Sequence, residues 1–240
     1  LGVPLVVDNT AAPVICRPLD HGAAVVMYST TKYIGGHGTS IGGLVVDGGT
    51  FDWAAHAARF PTLNRPDPSY HGAVWVEAAK PLGPIAFILR MRVILLRDVG
   101  AAMSPFNAFL FLQGLETLPL RMRAHCDNAA RVATFLAAHP KVTKVIYPGQ
   151  QSGEMRRRAD AYLLGAHGAL VGFELGDGRE AGRRFIDALQ LVYHVANIGD
   201  ARSLAIHPAS TTHSQLSEAD QIATGVSPGY VRLSIGLEHI

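Results

Sequence analysis

The sequence predicts an α/β chain: a mostly parallel sheet with one antiparallel strand, followed by a smaller α+β part. Three observations carry this. Two continuously apolar runs, Pro4–Val7 and Ala23–Met27, are joined by residues 9–22, a length that permits a crossover and so a parallel pair. A third run, Gly43–Val46, follows Lys32 too closely for a helical crossover and reads as antiparallel. Beyond residue 140 the apolar residues alternate instead of running together, the mark of half-buried strands.

Pro4–Val7 reads as a strand buried on both faces, and it ends at Asp8-Asn9-Thr10. Ala23–Met27 leads into Tyr28-Ser29-Thr30-Thr31-Lys32-Tyr33-Ile34-Gly35-Gly36-His37-Gly38. If the two strands are parallel, Asp8, Ser29, Thr31 and Lys32 all fall at carboxyl ends, the edge where open α/β sheets bind ligands. A lysine flanked by hydroxyls and glycines suits an imine-forming amine beside a phosphate-bearing aldehyde. An ordinary surface lysine in a glycine-rich loop satisfies the same spacing.

Asp47-Gly48-Gly49 is a turn, and residues 50–80 read as loop with short helices. Trp53 and Trp75 fall there as packing residues. Ser104-Pro105 starts a helix that runs through Phe106–Leu112 and is apolar on most faces. A second helix spans Arg121–Ala138 and stops at Pro140. A domain change near residue 120 gives parts 1–120 and 121–240. In the second part Val142–Tyr147 is a short strand, 152–162 a solvated helix, 169–175 a half-buried strand and Glu180–Gln190 an amphipathic helix. In the last strand Arg232 lies opposite the face of Val231, Leu233 and Ile235. There it meets a carboxylate or stands as an exposed strand arginine.

Composition narrows the function classes. A net charge of +2 gives no electrostatic case for nucleic acid or a membrane surface. Val99–Leu115 is the longest uncharged run, too polar and short for a membrane span. Two cysteines, Cys16 and Cys126, fit reduced thiols in cytoplasm, although two could also form one disulfide. Eleven histidines raise a metal hydrolase, but no pair has zinc-site helix spacing together with a carboxylate base, so no metal is expected. A strand-like run opening on Leu1 suggests a piece of a longer protein.

Four runs together resemble the Cys/Met-metabolism family of pyridoxal-phosphate enzymes: Val7–Thr10, Ser29–Gly38, Arg121–Cys126 and Val231–Glu238. Gly38–Gly43, Ser104–Phe109 and Ala196–Leu204 look most like its O-acetylhomoserine sulfhydrylase branch. The resemblance spans essentially the whole chain. It implies a fold-type-I architecture, with a partial large domain and a C-terminal α+β domain, and pyridoxal 5'-phosphate (PLP) as cofactor. By position, Lys32 matches the imine-forming, proton-moving lysine, and Asp8 the partner of the pyridinium nitrogen. Ser29 and Thr31 match the phosphate hydroxyls, Arg232 the arginine forked onto the substrate carboxylate, and Ser203 the carboxylate shelf.

The implied reaction is γ-replacement on O-acetyl-L-homoserine by sulfide or a small thiol. Cystathionine γ-synthase, γ-lyase or methionine γ-lyase chemistry and an inactive fragment are the alternatives. Arg202 stands where cystathionine-handling relatives resemble a glutamate. A cation there disfavours a distal ammonium; a solvated arginine fits the position equally. The resemblance also implies a cytoplasmic homo-oligomer, a dimer of dimers, with an amino-acid substrate and no nucleic-acid or membrane partner. The family's phosphate loop, its ring-stacking tyrosine, its cross-dimer tyrosine–arginine pair and its last helical turns have no counterpart here. Weak cofactor binding by the chain alone is therefore expected.

Overall fold

The computed structural model describes residues 2–240, which gather into two compact units interleaved in sequence. The first unit ends its opening stretch at Asn9 and takes in Arg17–Ser29 and Gly42–Ala108. The second comprises Thr10–Cys16, Thr30–Ile41 and Phe109–Ile240.

The first unit holds three strands in the order β1 (Val6–Asp8), β2 (Val25–Ser29), β3 (Gly43–Asp47). β1 and β2 are parallel, with Asp8 opposite Met27, and β3 is antiparallel to β2, with Gly43 opposite Ser29. Both orientations follow the connection lengths read from the sequence. Burial differs from expectation. Leu5 and Val6 are each 52% exposed, while Val25 and Val26 on the middle strand are 2% exposed. β1 is an edge strand of this sheet, so its apolar run is covered from one side only among the described residues.

Trp53 and Trp75 are buried in a core with Ala24, Val25, Leu63, Ala79 and Ala86. Trp53 packs against the rings of Phe51, Phe60 and Phe87 at 4.7–5.4 Å. The Trp75 indole N–H donates to Asp67 at 2.9 Å. Short helices α1 (Pro61–Asn64), α2 (Trp75–Ala79) and α3 (Ala86–Arg90) wrap this core, and α3 continues as a π-helical turn over Met91–Leu96.

Helix α4 (Pro105–Ala138) starts where Ser104-Pro105 places it, with the Ser104 carbonyl accepting from Ala108 N–H. The sequence predicts two helices, one through Phe106–Leu112 and one over Arg121–Ala138, with a domain change near residue 120. The structure has one, 34 residues long, that runs through Pro119. An internal proline costs a helix about 3 kcal/mol. Burial of Leu118, Met122, Cys126, Ala129 and Ala133 along one stripe offsets that cost. The expected boundary at residue 120 thus falls inside a helix.

The second unit carries a five-stranded sheet in the order β4-β5-β8-β7-β6. Its strands are β4 (Val142–Ile146), β5 (Leu170–Leu175), β6 (Tyr193–His194), β7 (Leu204–Ile206) and β8 (Tyr230–Ser234). β8 lies antiparallel between β5 and β7. Helices α5 (Gly153–Tyr162), α6 (Gly178–Asp187) and α7 (Glu218–Ala223) connect them. Val171, Phe173, Val231 and Ala205 are at most 1% exposed. β6 and β7 are additions to the strands read from sequence. No helix among the described residues is long and apolar enough to cross a membrane.

Candidate active site

In the first unit, Asp8 closes β1 and Ser29 closes β2, two residues beyond the partner of Asp8. Parallel register and side-chain alternation put Asp8, Met27 and Ser29 on one face at the carboxyl edge. Asn9 extends the pairing, its N–H donating to the Met27 carbonyl at 2.9 Å, and its amide donates to the Tyr28 hydroxyl at 3.1 Å.

In the second unit, Lys32 lies in a turn closed by Gly35 N–H to the Thr30 carbonyl, 2.9 Å, and Gly36 N–H to the Lys32 carbonyl, 2.8 Å. Buried Arg121 of α4 holds this turn. It donates to the carbonyls of Tyr33 (2.7 Å) and Ile34 (3.1 Å), to Gly114 O (2.7 Å) and to Thr117 Oγ1 (3.1 Å). Burial lowers its guanidinium from the usual arginine value. Gly114 makes the approach possible: a Cβ there would stand 2.2 Å from the Ile34 carbonyl oxygen. Thr31 faces a cavity of about 340 Å³ shared with His37, Thr39, Ser40, Gln113 and Thr117.

Loop 197–203 meets this turn. Gly199 has φ +72, and a Cβ there would stand 2.6 Å from Tyr33 N, so only glycine lets the two backbones touch. Ala201 N–H donates to the Gly36 carbonyl at 2.8 Å, and Gly199 N–H to Ser234 Oγ at 3.0 Å. At the junction Lys32 Nζ donates to Asn197 Oδ1, and Arg232 Nη2 donates to the Asn197 main-chain carbonyl at 3.2 Å. Arg232 leaves β8 on the face expected, and its Nε is buried with no hydrogen-bond partner among the described residues. Burial also lowers its guanidinium from the usual value.

Two further residues, Ser203 and Arg202, have partners inside the protein. The Ser203 hydroxyl donates to Glu238 Oε2 (2.8 Å) and accepts from Gly236 N–H (2.9 Å), so its one proton is already committed inside the protein. Arg202 is no bare cation. It donates twice to Asp200 at 3.0 Å and stacks over the Tyr193 ring, 5.0 Å from its centroid. Burial raises the Asp200 carboxyl, but the Arg202 hydrogen bonds and charge outweigh it, and the net shift is downward. The pair is close to neutral, so a selection by net charge at position 202 has no basis in the structure.

The second unit therefore brings Lys32 and Arg232 together and adds Asn197, Arg121 and Glu238. Sequence reasoning assigned no role to these three. Asn197 and Arg121 stand inside motif runs, but an amide has no charge to mark it, and the carbonyls Arg121 holds at Tyr33 and Ile34 are far from it in sequence.

Comparison with known proteins identifies the setting. The family model described as Cys/Met metabolism PLP-dependent enzyme matches residues 1–240. The chain is 53% identical over 247 residues to an O-acetyl-L-homoserine sulfhydrylase of Leptospira meyeri, covering 100% of this chain and 55% of that protein. It is 49% identical to O-acetyl-L-homoserine sulfhydrylase 1 of Thermus thermophilus, covering 100% of this chain and 56% of that protein. It thus spans about half the length of the curated relatives it matches. A crystal structure of a Campylobacter jejuni putative O-acetylhomoserine (thiol)-lyase, carrying pyridoxyl-lysine monophosphate, superposes with a TM-score of 0.90 at 40% identity. The match covers 99% of this chain and 56% of that one. A Lactobacillus plantarum cystathionine γ-lyase gives 0.74 at 29% identity over 99% of this chain and 52% of its own. With the family match unbroken along all 240 residues, this chain belongs to the Cys/Met metabolism family of PLP-dependent enzymes and has their α/β, fold-type-I architecture.

Proposed function

We propose that the protein carrying this chain replaces the acetate of O-acetyl-L-homoserine with sulfide or a small thiol, yielding homocysteine or methionine. The observation that carries the reading is the meeting of Lys32 and Arg232 on Asn197. An amine and a carboxylate-binding guanidinium held on one residue suit an amino-acid substrate. The sulfhydrylase names of the relatives, at 53% and 49% identity, favour this substrate pair.

The residues fit pyridoxal phosphate. Lys32 Nζ donates to a neutral acceptor, the Asn197 side-chain oxygen. Thr30 Oγ1 is buried with no partner among the described residues, and by the family resemblance the hydroxyls of Ser29 and Thr31 would be the phosphate ligands. When bound, the cofactor supplies an electron sink for carbon acids at the substrate amine. By the family resemblance, Asp8 would be the carboxylate that pairs with the ring nitrogen and favours its protonated form. Arg232, with its spare buried Nε–H, orients the substrate carboxylate. Lys32 takes the proton from Cα and then one from Cβ. The Cγ–O bond breaks, acetate leaves with the electron pair, hydrosulfide forms the Cγ–S bond, and Lys32 returns the two protons to Cβ and Cα.

Lys32→Ala in the full-length protein tests this. Loss of both the visible cofactor absorbance and turnover is expected; retention of both refutes the assignment. Competition among sulfide, methanethiol and cysteine then tests the acceptor, with homocysteine or methionine expected and cystathionine as the contrary result.

A further inference from the structure

We infer that Asn197 is a positioning residue: it berths the Lys32 amine whenever that amine is not bonded to the cofactor, and its neutrality is what the berth requires. The inference rests on the function proposed above and deepens it. Asn197 offers two acceptor oxygens to two cations. Its side-chain oxygen takes Lys32 Nζ, and its main-chain oxygen takes Arg232 Nη2. Neither cation forms an ion pair among the described residues. Two like charges drawn to one residue repel, and the amide and carbonyl dipoles relieve that repulsion without cancelling either charge.

The chemistry needs this distinction. Lys32 works only after it loses a proton, whether it attacks an aldehyde or takes hydrogen from carbon. Arg232 must meet the substrate carboxylate with its own charge uncancelled. An aspartate of the same shape at 197 would defeat both, holding Lys32 as an ammonium and competing with the substrate for Arg232. Asparagine supplies the geometry and withholds the charge. A serine would be neutral as well, but its hydroxyl stops one bond short of the Asn197 oxygen.

The berth is rigid on both sides. Loop 197–203 is tied to Ser234 through Gly199 N–H at 3.0 Å and to Gly36 through Ala201 N–H at 2.8 Å. Arg121 ties the Lys32 turn to α4 through Tyr33 and Ile34. The amide oxygen therefore returns the amine to one place after each release.

The test reads the lysine itself. Full-length protein freed of cofactor is labelled with acetic anhydride between about pH 7 and about pH 10, and peptide mass spectrometry compares Lys32 with surface lysines. In Asn197→Asp the half-labelling pH of Lys32 rises, giving roughly tenfold less Lys32 acetylation on the rising limb while surface lysines are unchanged. In Asn197→Ser it does not rise, but the visible absorbance that develops on adding pyridoxal phosphate grows roughly tenfold more slowly, because the amine is no longer placed. An Asn197→Asp profile that overlies the parent profile overturns the inference, and so does an Asn197→Ser rate equal to the parent's. If Asn197→Asp fails to fold, the Asn197→Ser rate decides alone. None of these readouts depends on which nucleophile the enzyme uses. A wrong substrate assignment would leave them intact.

Discussion

The turn over residues 30–36 and the loop over 197–203 lie side by side in the second unit, yet they are held by opposite charges. The turn directs carbonyls at α4, and the cation Arg121 gathers those of Tyr33 and Ile34. The loop presents donors, and the anion Glu238 gathers Ser203 N–H and Ser203 Oγ. Each segment has a backbone deficit of one sign, met by a charged side chain of the other. Both clamps stand behind the junction, where the segments touch through Ala201 N–H on Gly36 O and through the uncharged Asn197 side-chain oxygen, which accepts from Lys32 Nζ. Strong electrostatics fixes the frame while the amine keeps a neutral neighbour.

If the turn depends on its cation, removing it should give the largest loss. Arg121→Met leaves the Tyr33, Ile34 and Gly114 carbonyls short of a donor in a buried setting. We expect the unfolding free energy of the full-length protein to fall by about 3–5 kcal/mol, read from urea denaturation. A loss below about 1 kcal/mol would mean that α4 packing alone holds the turn.

How far this frame could be read in advance follows from the range of each interaction. The strands β1, β2 and β3 and their directions were legible because apolar runs and connection lengths are local quantities. The face of Arg232 was legible from alternation in the last strand. The exposure of Val6 was not, because its pattern reports that a strand is apolar, not which neighbours cover it. The union of the two expected helices into one was not legible, because the packing that carries α4 through Pro119 is tertiary and leaves no local signal. β7 is only Leu204–Ile206, too short for periodicity, and it exists because β8 and β6 flank it. The roles of Lys32, Asp8, Ser29 and Thr31 came from motif resemblance. The clamps at Arg121 and Glu238 act on residues distant in the chain and left no spacing to find.

A smaller effect comes from two buried histidines, one of them packed against the turn. His125 on α4 donates through Nδ1 to the Ile235 carbonyl at 2.7 Å and packs edge-on to the Tyr33 ring at 5.4 Å. Burial lowers its pKa most and nearby Arg121 adds to this, against the Ile235 carbonyl, Glu238 and Asp200. His207 is lowered as well, again mainly by burial, and donates to the Pro228 carbonyl while accepting from Ser210. An unfolded histidine takes up a proton near pH 6.5 and these folded ones resist it. The unfolded state therefore binds more protons below that value, and stability drops as pH falls toward the lowered folded values. The slope is up to about 1.4 kcal/mol per pH unit for each histidine. Urea midpoints at about pH 7.5 and about pH 5.5 measure it; equal midpoints would show that both histidines titrate normally.

The smallest expected effect separates the loop's frame from its chemistry. Ser203→Ala removes a donor to Glu238 and the acceptor of Gly236 N–H, while Ser203 N–H keeps its bond to the carboxylate. The loss in stability should be about 1 kcal/mol, because one anchor of the loop survives and Glu238, half-buried, can turn to water. If the hydroxyl is purely a strut, KM for the amino-acid substrate stays within about twofold of the parent value. Arg232→Lys, which loses the fork, should raise KM by far more, since the substrate carboxylate then meets a point charge in place of two aligned donors. A Ser203→Ala variant that kept its stability and raised KM as strongly as Arg232→Lys would return Ser203 to the substrate. The hydroxyl would then exchange Glu238 for the substrate carboxylate on binding, and the loop's anionic clamp would be a latch that opens in each turnover rather than a fixed brace.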